Sequence, residues 1–228
     1  MARRRRMLAS AAECARSVYA KKRLIAGIYI SFFGMGVLWH ALQATYAIML
    51  AITPYVLLLF GLFILFSALL EETRRLLLWA GLTFVFTIII EAIGVATGKV
   101  FGAYIYGDIL GPKIFGVPLL IGFNWTVVIL GISSFVFRLL KTRWIAIVLA
   151  GLGGVLFDFV MEPVATALGY WTWSGGNIPL QNYVAWFVIG LAAATGYSFT
   201  NTRLKTFYPS FYVLLQLAFF GALLLVVR

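Results

Sequence analysis

The chain has 228 residues, of which 63% are apolar and only 11% charged, with a mean hydropathy of +1.02. Soluble domains carry about 25% charged residues, so this composition excludes a disordered chain, a coiled coil, a disulfide scaffold and a soluble enzyme, and it reads as one polytopic membrane domain. The net charge of +11 does not point to nucleic acid, because the basic residues stand in short clusters between apolar runs rather than along one face.

In chain order, a basic segment over 1–23 comes first and contains the single cysteine, Cys14, which leaves no intrachain disulfide. With one cysteine and one histidine, His40, a nitrogen or sulfur metal cage has almost nothing to build with, and no metal is expected. Apolar runs of about 20 residues predict spans at Leu24–Trp39, Ala47–Leu70, Leu76–Thr97, Val117–Phe137, Trp144–Ala167, Tyr183–Thr200 and Phe207–Val227. The expected fold is all-α, a multi-pass bundle of about seven transmembrane helices over 24–228. No small-residue cleavage site follows the first run, so a removable signal peptide is not expected.

With the N-terminus inside, Arg3, Arg4, Arg5, Arg6, Arg16, Lys21, Lys22 and Arg23 are cytoplasmic, and alternate loops add Arg74, Arg75, Arg138, Lys141, Arg143, Arg203 and Lys205. Only Lys99, Lys113 and Arg228 fall outside, an asymmetry that predicts an N-in, C-out topology. The basic segment is read as a topology anchor, with an amphipathic strip on anionic lipid as the alternative.

Of the seven acidic residues, Glu13, Glu71 and Glu72 stand beside arginines or lysines on the expected cytoplasmic side, where solvated partners account for them. Glu91, Asp158 and Glu162 lie inside the third and fifth spans, and Asp108 in the outer loop after the third. A charge at membrane depth costs about 2.5–3.5 kcal/mol even on the mildest scale, which makes each of the three a functional-site hypothesis. Asp158 and Glu162 are four apart and share a helix face. Glu91 is in the same half of its span, so the three carboxylates are expected to converge in one outward-opening pocket. The other reading is that they bond to Trp, Tyr, Asn or backbone groups and only lock the helices together.

Spacing also predicts an internal duplication. Glu91 precedes Gly98 by seven residues and Glu162 precedes Gly169 by seven; Pro118 precedes Trp125 by seven and Pro179 precedes Trp186 by seven. Aromatic loops lie between these anchors, one with Tyr104 and Tyr106, the other with Tyr170, Trp171 and Trp173. A parallel repeat of spans three and four with spans five and six would face itself across an axis normal to the membrane; chance spacing in an aromatic-rich chain is the alternative. Gly94, Gly98 and Gly102 recur every four residues and fit close helix packing. Pro163, directly after Glu162, either frees a carbonyl beside the pocket or marks a helix end.

The pocket chemistry consists of carboxylates, indoles, phenols and amides (Asn124, Asn177, Gln181, Asn182). His40 stands alone near the outer end of the first span and is read as an interfacial residue rather than a base. Retinal binding is disfavoured because the last span has no lysine. Prenyl transfer is disfavoured for want of two aspartate-rich diphosphate sites. Acid/base chemistry on a hydrophobic substrate fits better: a carboxylic acid in an apolar pocket donates a proton to an alkene, aromatic faces stabilise the tertiary cation, and a second carboxylate activates water.

Three blocks carry a family resemblance: EAIGVATGKVFGAYIYGDILGPKIFGVPLLIGFNW from Glu91 to Trp125, LFDFVMEPVATALGYWTW from Leu156 to Trp173, and GNIPLQNYVAW from Gly176 to Trp186. Together they resemble the carotenoid hydratase family, which includes archaeal bisanhydrobacterioruberin hydratase and bacterial carotenoid 1′-hydratases. The likeness covers residues 75 to 200; spans one, two and seven match only in hydrophobic character. In many relatives aspartate precedes the proline that here follows Glu162, and glutamate moves that carboxyl outward by one methylene.

The resemblance implies hydration of a terminal double bond on an acyclic carotenoid end, such as a bacterioruberin precursor or a carotene, to a tertiary alcohol, in the cell membrane and with no organic cofactor. Position and chemistry nominate Glu91, Asp158 and Glu162 as the proton-handling set. They nominate Tyr104, Tyr106, Asn124, Trp125, Trp171, Trp173, Asn182 and Trp186 as substrate-binding residues. The partners expected are the carotenoid and the lipid bilayer. Alternatives are a lycopene-type cyclase, which shares the alkene protonation, and a proton-coupled transporter or lipid-binding protein.

Overall fold

The computed structural model describes residues 20–72 and 74–226. Most of the basic segment, with Cys14 and Glu13, lies outside the described residues, as do Val227 and Arg228. Among these residues seven helices run in chain order: α1 (Lys22–Ala41), α2 (Gln43–Leu69), α3 (Arg74–Thr97), α4 (Leu119–Leu139), α5 (Arg143–Ala167), α6 (Leu180–Phe199) and α7 (Tyr208–Leu223). Four short strands accompany them: β1 (Tyr104–Tyr106), β2 (Lys113–Ile114) and β3 (Val117–Pro118) between α3 and α4, and β4 (Trp171–Trp173) between α5 and α6.

All seven expected spans form helices, and α1 to α5 are long and apolar enough to cross a membrane. The helix α6 opens with the polar pair Gln181 and Asn182, and α7, at 16 residues, is shorter than the others. The protein is an all-α polytopic membrane bundle. Leu59, Leu78, Leu82, Phe159 and Val188 are exposed on its outer faces, the surface that hydrocarbon requires and water penalises.

Helix boundaries shift where polar residues can serve the backbone. The break between α1 and α2 is a single extended residue, Leu42 (φ −96°, ψ 119°). Thr45 Oγ1 donates to the carbonyls of Trp39 at 2.7 Å and Leu42 at 3.2 Å, satisfying acceptors that a helix end leaves open. The helix α2 therefore begins at Gln43, ahead of the expected Ala47. Pro118 and Pro179 stand in extended conformation immediately before α4 and α6.

The helix α4 is central: 72% of its apolar window is buried, against 17% for α1 and 22% for α2. Buried polar side chains on it bond within the bundle, as enclosure requires: Thr126 donates to the Gly122 carbonyl at 2.8 Å and Ser134 to the Gly131 carbonyl at 3.0 Å. Helices α5 and α6 approach closely where Gly151 faces Gly190.

At one end of the bundle β1 pairs antiparallel with β4, in the register Tyr104 with Trp173, Ile105 with Thr172 and Tyr106 with Trp171. The strands β2 and β3 form a hairpin whose central residues, Phe115 (φ 51°) and Gly116 (φ 80°), both have positive φ, as a tight I′ turn requires. At the opposite end no arginine among the described residues pairs with Glu71. Its carboxylate accepts the backbone N–H groups of Lys205 at 2.6 Å and Thr206 at 2.7 Å, while Arg138 donates to the Thr206 carbonyl at 2.5 Å. These bonds tie the α6–α7 connection to α2 and α4.

Candidate active site

The helices α3 and α5 each end at a glycine with left-handed φ, Gly98 (64°) and Gly169 (73°). After α5 the N–H of Gly169 bonds the Thr166 carbonyl at 3.0 Å and that of Tyr170 bonds Ala165 at 2.9 Å, a Schellman closure. This reversal lays β4 back over the end of its own helix. In a strand, residues i and i+2 project to the same side, so Trp171 and Trp173 point inward together while Thr172 points out. Both indoles donate to Glu162 Oε2, at 3.0 and 3.1 Å. The first hairpin repeats the arrangement with phenols: Tyr104 and Tyr106 both donate to Glu91 Oε2, the latter at 2.8 Å, and Ile105 faces out. Burial first, and the Glu91 carboxylate second, push both phenols above their ordinary pKa, so they remain protonated donors.

Asp158 sits one turn before Glu162 and is fully buried. The Asn182 amide, from the first turn of α6, donates to Asp158 Oδ2 at 2.6 Å and makes a long 3.5 Å contact to Glu162 Oε1. Asp158 Oδ1 is buried without a hydrogen-bond partner among the described residues. A cavity of about 20 Å³ lies among these groups. Below it Trp125 and Trp186 stack at 3.6 Å between ring centroids, tilted by 18°, a contact that contributes about 0.5–1.5 kcal/mol beyond its buried area.

All three nominated carboxylates line this cavity, and so do Tyr104, Tyr106, Trp125, Trp171, Trp173, Asn182 and Trp186. Asn124 does not. It faces α7 and accepts a bond from Gln216 Nε2 at 3.3 Å, because one residue along a helix is a rotation of about 100° from Trp125. Phe101, Ile121 and Met161 complete the lining. Ile121 stands four residues before Trp125, so its shared face was readable from helical spacing; Phe101 carries no such signal.

Asp108, which lies outside the cavity, is exposed and ion-paired to Lys113 at 2.7 Å. His40 is buried rather than interfacial. Among the described residues no group of three His, Cys, Asp or Glu side chains is disposed to hold a metal ion. The carboxylates do lock helices and strands together through Tyr, Trp and Asn, but locking leaves the unpartnered Asp158 oxygen unexplained.

The sequence matches the family described as "Carotenoid biosynthesis protein" over residues 52–227. It is also 32% identical over 168 residues to a bisanhydrobacterioruberin hydratase from Haloarcula japonica, a match covering 68% of this chain and 57% of that protein. The shared stretch is therefore less than two thirds of the relative's length. No solved structure matches the chain. The carboxylate cavity falls wholly within the matched residues, and the chain belongs to the carotenoid biosynthesis protein family.

Proposed function

We propose that this protein adds water across a terminal carbon–carbon double bond of an acyclic carotenoid, giving a tertiary alcohol, within the cell membrane. The observation that carries the reading is the convergence of three buried carboxylates on one aromatic-walled cavity, with Asp158 Oδ1 left unpaired. The family membership and the hydratase name of the Haloarcula relative support it.

Asp158 is the proton donor in this scheme, because its Oδ1 is buried at the cavity without a partner. Its proton goes to the less substituted alkene carbon, the π pair becomes the new C–H bond, and a tertiary cation forms next door. The indole faces of Trp125, Trp171, Trp173 and Trp186 stabilise that charge. A water oxygen then supplies the pair for the C–O bond, and Glu91 or Glu162 accepts the proton it sheds. Return of that proton within the cluster to Asp158 closes the cycle, and the alkene has gained one water. A cavity of about 20 Å³ has room for a single water, so the alkene end enters only when the aromatic walls part.

The test is mass analysis of pigments from cells that make an acyclic carotenoid, with and without the chain. Products heavier by one or two waters, absent with Asp158→Asn, are expected. Products of unchanged mass would identify a cyclase, and unchanged pigments beside folded protein a transporter or binding protein; either result overturns the proposal.

A further inference from the structure

A second and larger cavity, of about 320 Å³, lies between α1, α2 and α7 and is lined by Phe33, Trp39, His40, Met49, Thr53 and Phe219 among others. It takes no part in the chemistry above. It comes near that site, because Thr53 of its lining lies close to Tyr170, the residue before Trp171. All of α1, with His40, and the first third of α2 lie outside the stretch matched to the family.

Its lining is apolar apart from the indole N–H of the exposed Trp39 and the side chains of Ser31, Thr53 and His40. Ser31 is exposed, and the Thr53 hydroxyl is engaged with the Met49 carbonyl at 2.7 Å. His40 is different. It is only 6% exposed, its Nδ1 lies 2.7 Å from the Gly36 carbonyl, and its Nε2 is buried without a partner among the described residues. A carbonyl only accepts, so Nδ1 carries the hydrogen, and the neutral ring leaves Nε2 as a bare lone pair. A buried acceptor of this kind calls for a donor. Phospholipid acyl chains have none, nor has an alkene. An apolar molecule carrying a hydroxyl has one.

We propose that this cavity is a second ligand site, which takes the tertiary-alcohol end of a hydrated isoprenoid with its hydroxyl donating to His40 Nε2. The volume is in the range of small-ligand pockets and accommodates one end of such a chain. That the physiological occupant is the protein's own product rests on the hydration reading above. The alcohol chemistry rests on the imidazole alone. The site separates product, which can donate, from substrate, which cannot.

Because the chain has one histidine, nitrogen-15 histidine labelling gives a single imidazole to follow in phospholipid nanodiscs. Titration with isophytol, a branched isoprenoid tertiary alcohol, should move the pyridine-type Nε2 resonance upfield to saturation, while phytane, the matching hydrocarbon, should leave it in place. His40→Phe keeps a ring for the edge contacts with Tyr46 and Phe219 and should hold isophytol about tenfold more weakly in equilibrium partitioning. No movement, equal movement with phytane, or an Nε2 already hydrogen-bonded in phospholipid alone overturns the proposal. The readout needs no turnover, so Asp158→Asn protein should show the same shift. A shift without hydrated pigment removes the hydration reading, and with it the product as occupant; hydrated pigment without a shift removes only the second site.

Discussion

The hairpins α3–β1–α4 and α5–β4–α6 have one frame and different chemistry. In each, a glutamate near the end of the first helix receives two donors from the strand that follows. The strands pair antiparallel and the tryptophans of α4 and α6 stack on each other, as a two-fold relation between the halves would arrange them. The difference lies around the glutamates. Four residues before Glu162 stands Asp158, and four before Glu91 stands Thr87, whose hydroxyl donates to the Phe84 carbonyl of its own helix at 2.9 Å, with a longer 3.5 Å contact to the Gly122 carbonyl of α4. Three residues after Pro179 stands Asn182, and three after Pro118 stands Ile121. A repeated scaffold thus fixes the shape of the cavity, while one half alone supplies a second carboxylate, Asp158, and the amide of Asn182 that bonds it.

The strongest way to break the comparison is to write the first half's residue into the second. Asp158→Thr should fold, since Thr87 occupies the corresponding place, but lose hydration by about 10²–10⁴-fold, the usual worth of a proton-transfer group. Pigment mass analysis beside helical circular dichroism checks both parts. Activity near that of the unaltered protein would mean that Asp158 is scaffold like its counterpart.

Next in size is the seam between the halves. A Cβ at Gly107 would stand 2.3 Å from the Gly169 carbonyl oxygen, and Gly107 N–H bonds the Tyr170 carbonyl at 2.9 Å. Gly107→Ala should destabilise by about 1–3 kcal/mol through overpacking, read as a lower midpoint in thermal unfolding in detergent. An unchanged midpoint would show that the strand pairing carries little of the fold's stability.

The donors test the symmetry itself. Trp171→Phe and Tyr106→Phe each remove one of two bonds to a buried glutamate, and each should reduce product formation by about fivefold, equivalent to roughly 1 kcal/mol. Equal losses would mean that Glu91 and Glu162 need their donors to the same degree. A much larger loss on the indole side would concentrate the chemistry further in the second half.

Much of this site was legible in the sequence because membrane depth makes polarity conspicuous: Glu91, Asp158 and Glu162 stand out in apolar runs, and the glycine, proline and tryptophan spacings mark two hairpins of similar frame. What spacing could not convey was rotation and pairing. Asn124 and Trp125 are neighbours in sequence, yet one faces Gln216 and the other the cavity. The aromatic loops are strands because β1 and β4 complete each other, and each finds its pairing partner about 65 to 70 positions away. Glu71 beside Arg74 and Arg75 looked like a solvated ion pair, whereas its partners are backbone amides more than 130 residues distant. His40 was read by its place near a helix end, and its burial depends on Phe219 of α7 packing beside it.

The smallest effect concerns the one part of the first half with no counterpart. Gly98 and Pro118 are twice as far apart as Gly169 and Pro179, and the extra length holds the β2–β3 hairpin and the Asp108–Lys113 pair. Lys113, by its hydrogen bond and its charge, holds the Asp108 carboxyl below the ordinary value of 3.8. A lowered folded-state value means that any stabilisation is complete above the unfolded value and fades as pH falls through the folded one. The window therefore lies below about pH 3.8. The carboxylate is fully exposed, and water screens such pairs until little remains. Asp108→Asn should leave both the unfolding midpoint and the pigment products unchanged at neutral pH, removing only a slight acid sensitivity of the midpoint. Lys113 would still donate to the Tyr106 carbonyl, at 2.9 Å, keeping β1 in register. A marked loss of product in Asp108→Asn would instead make the hairpin part of the reacting site, and the two halves would then differ in architecture as well as in chemistry.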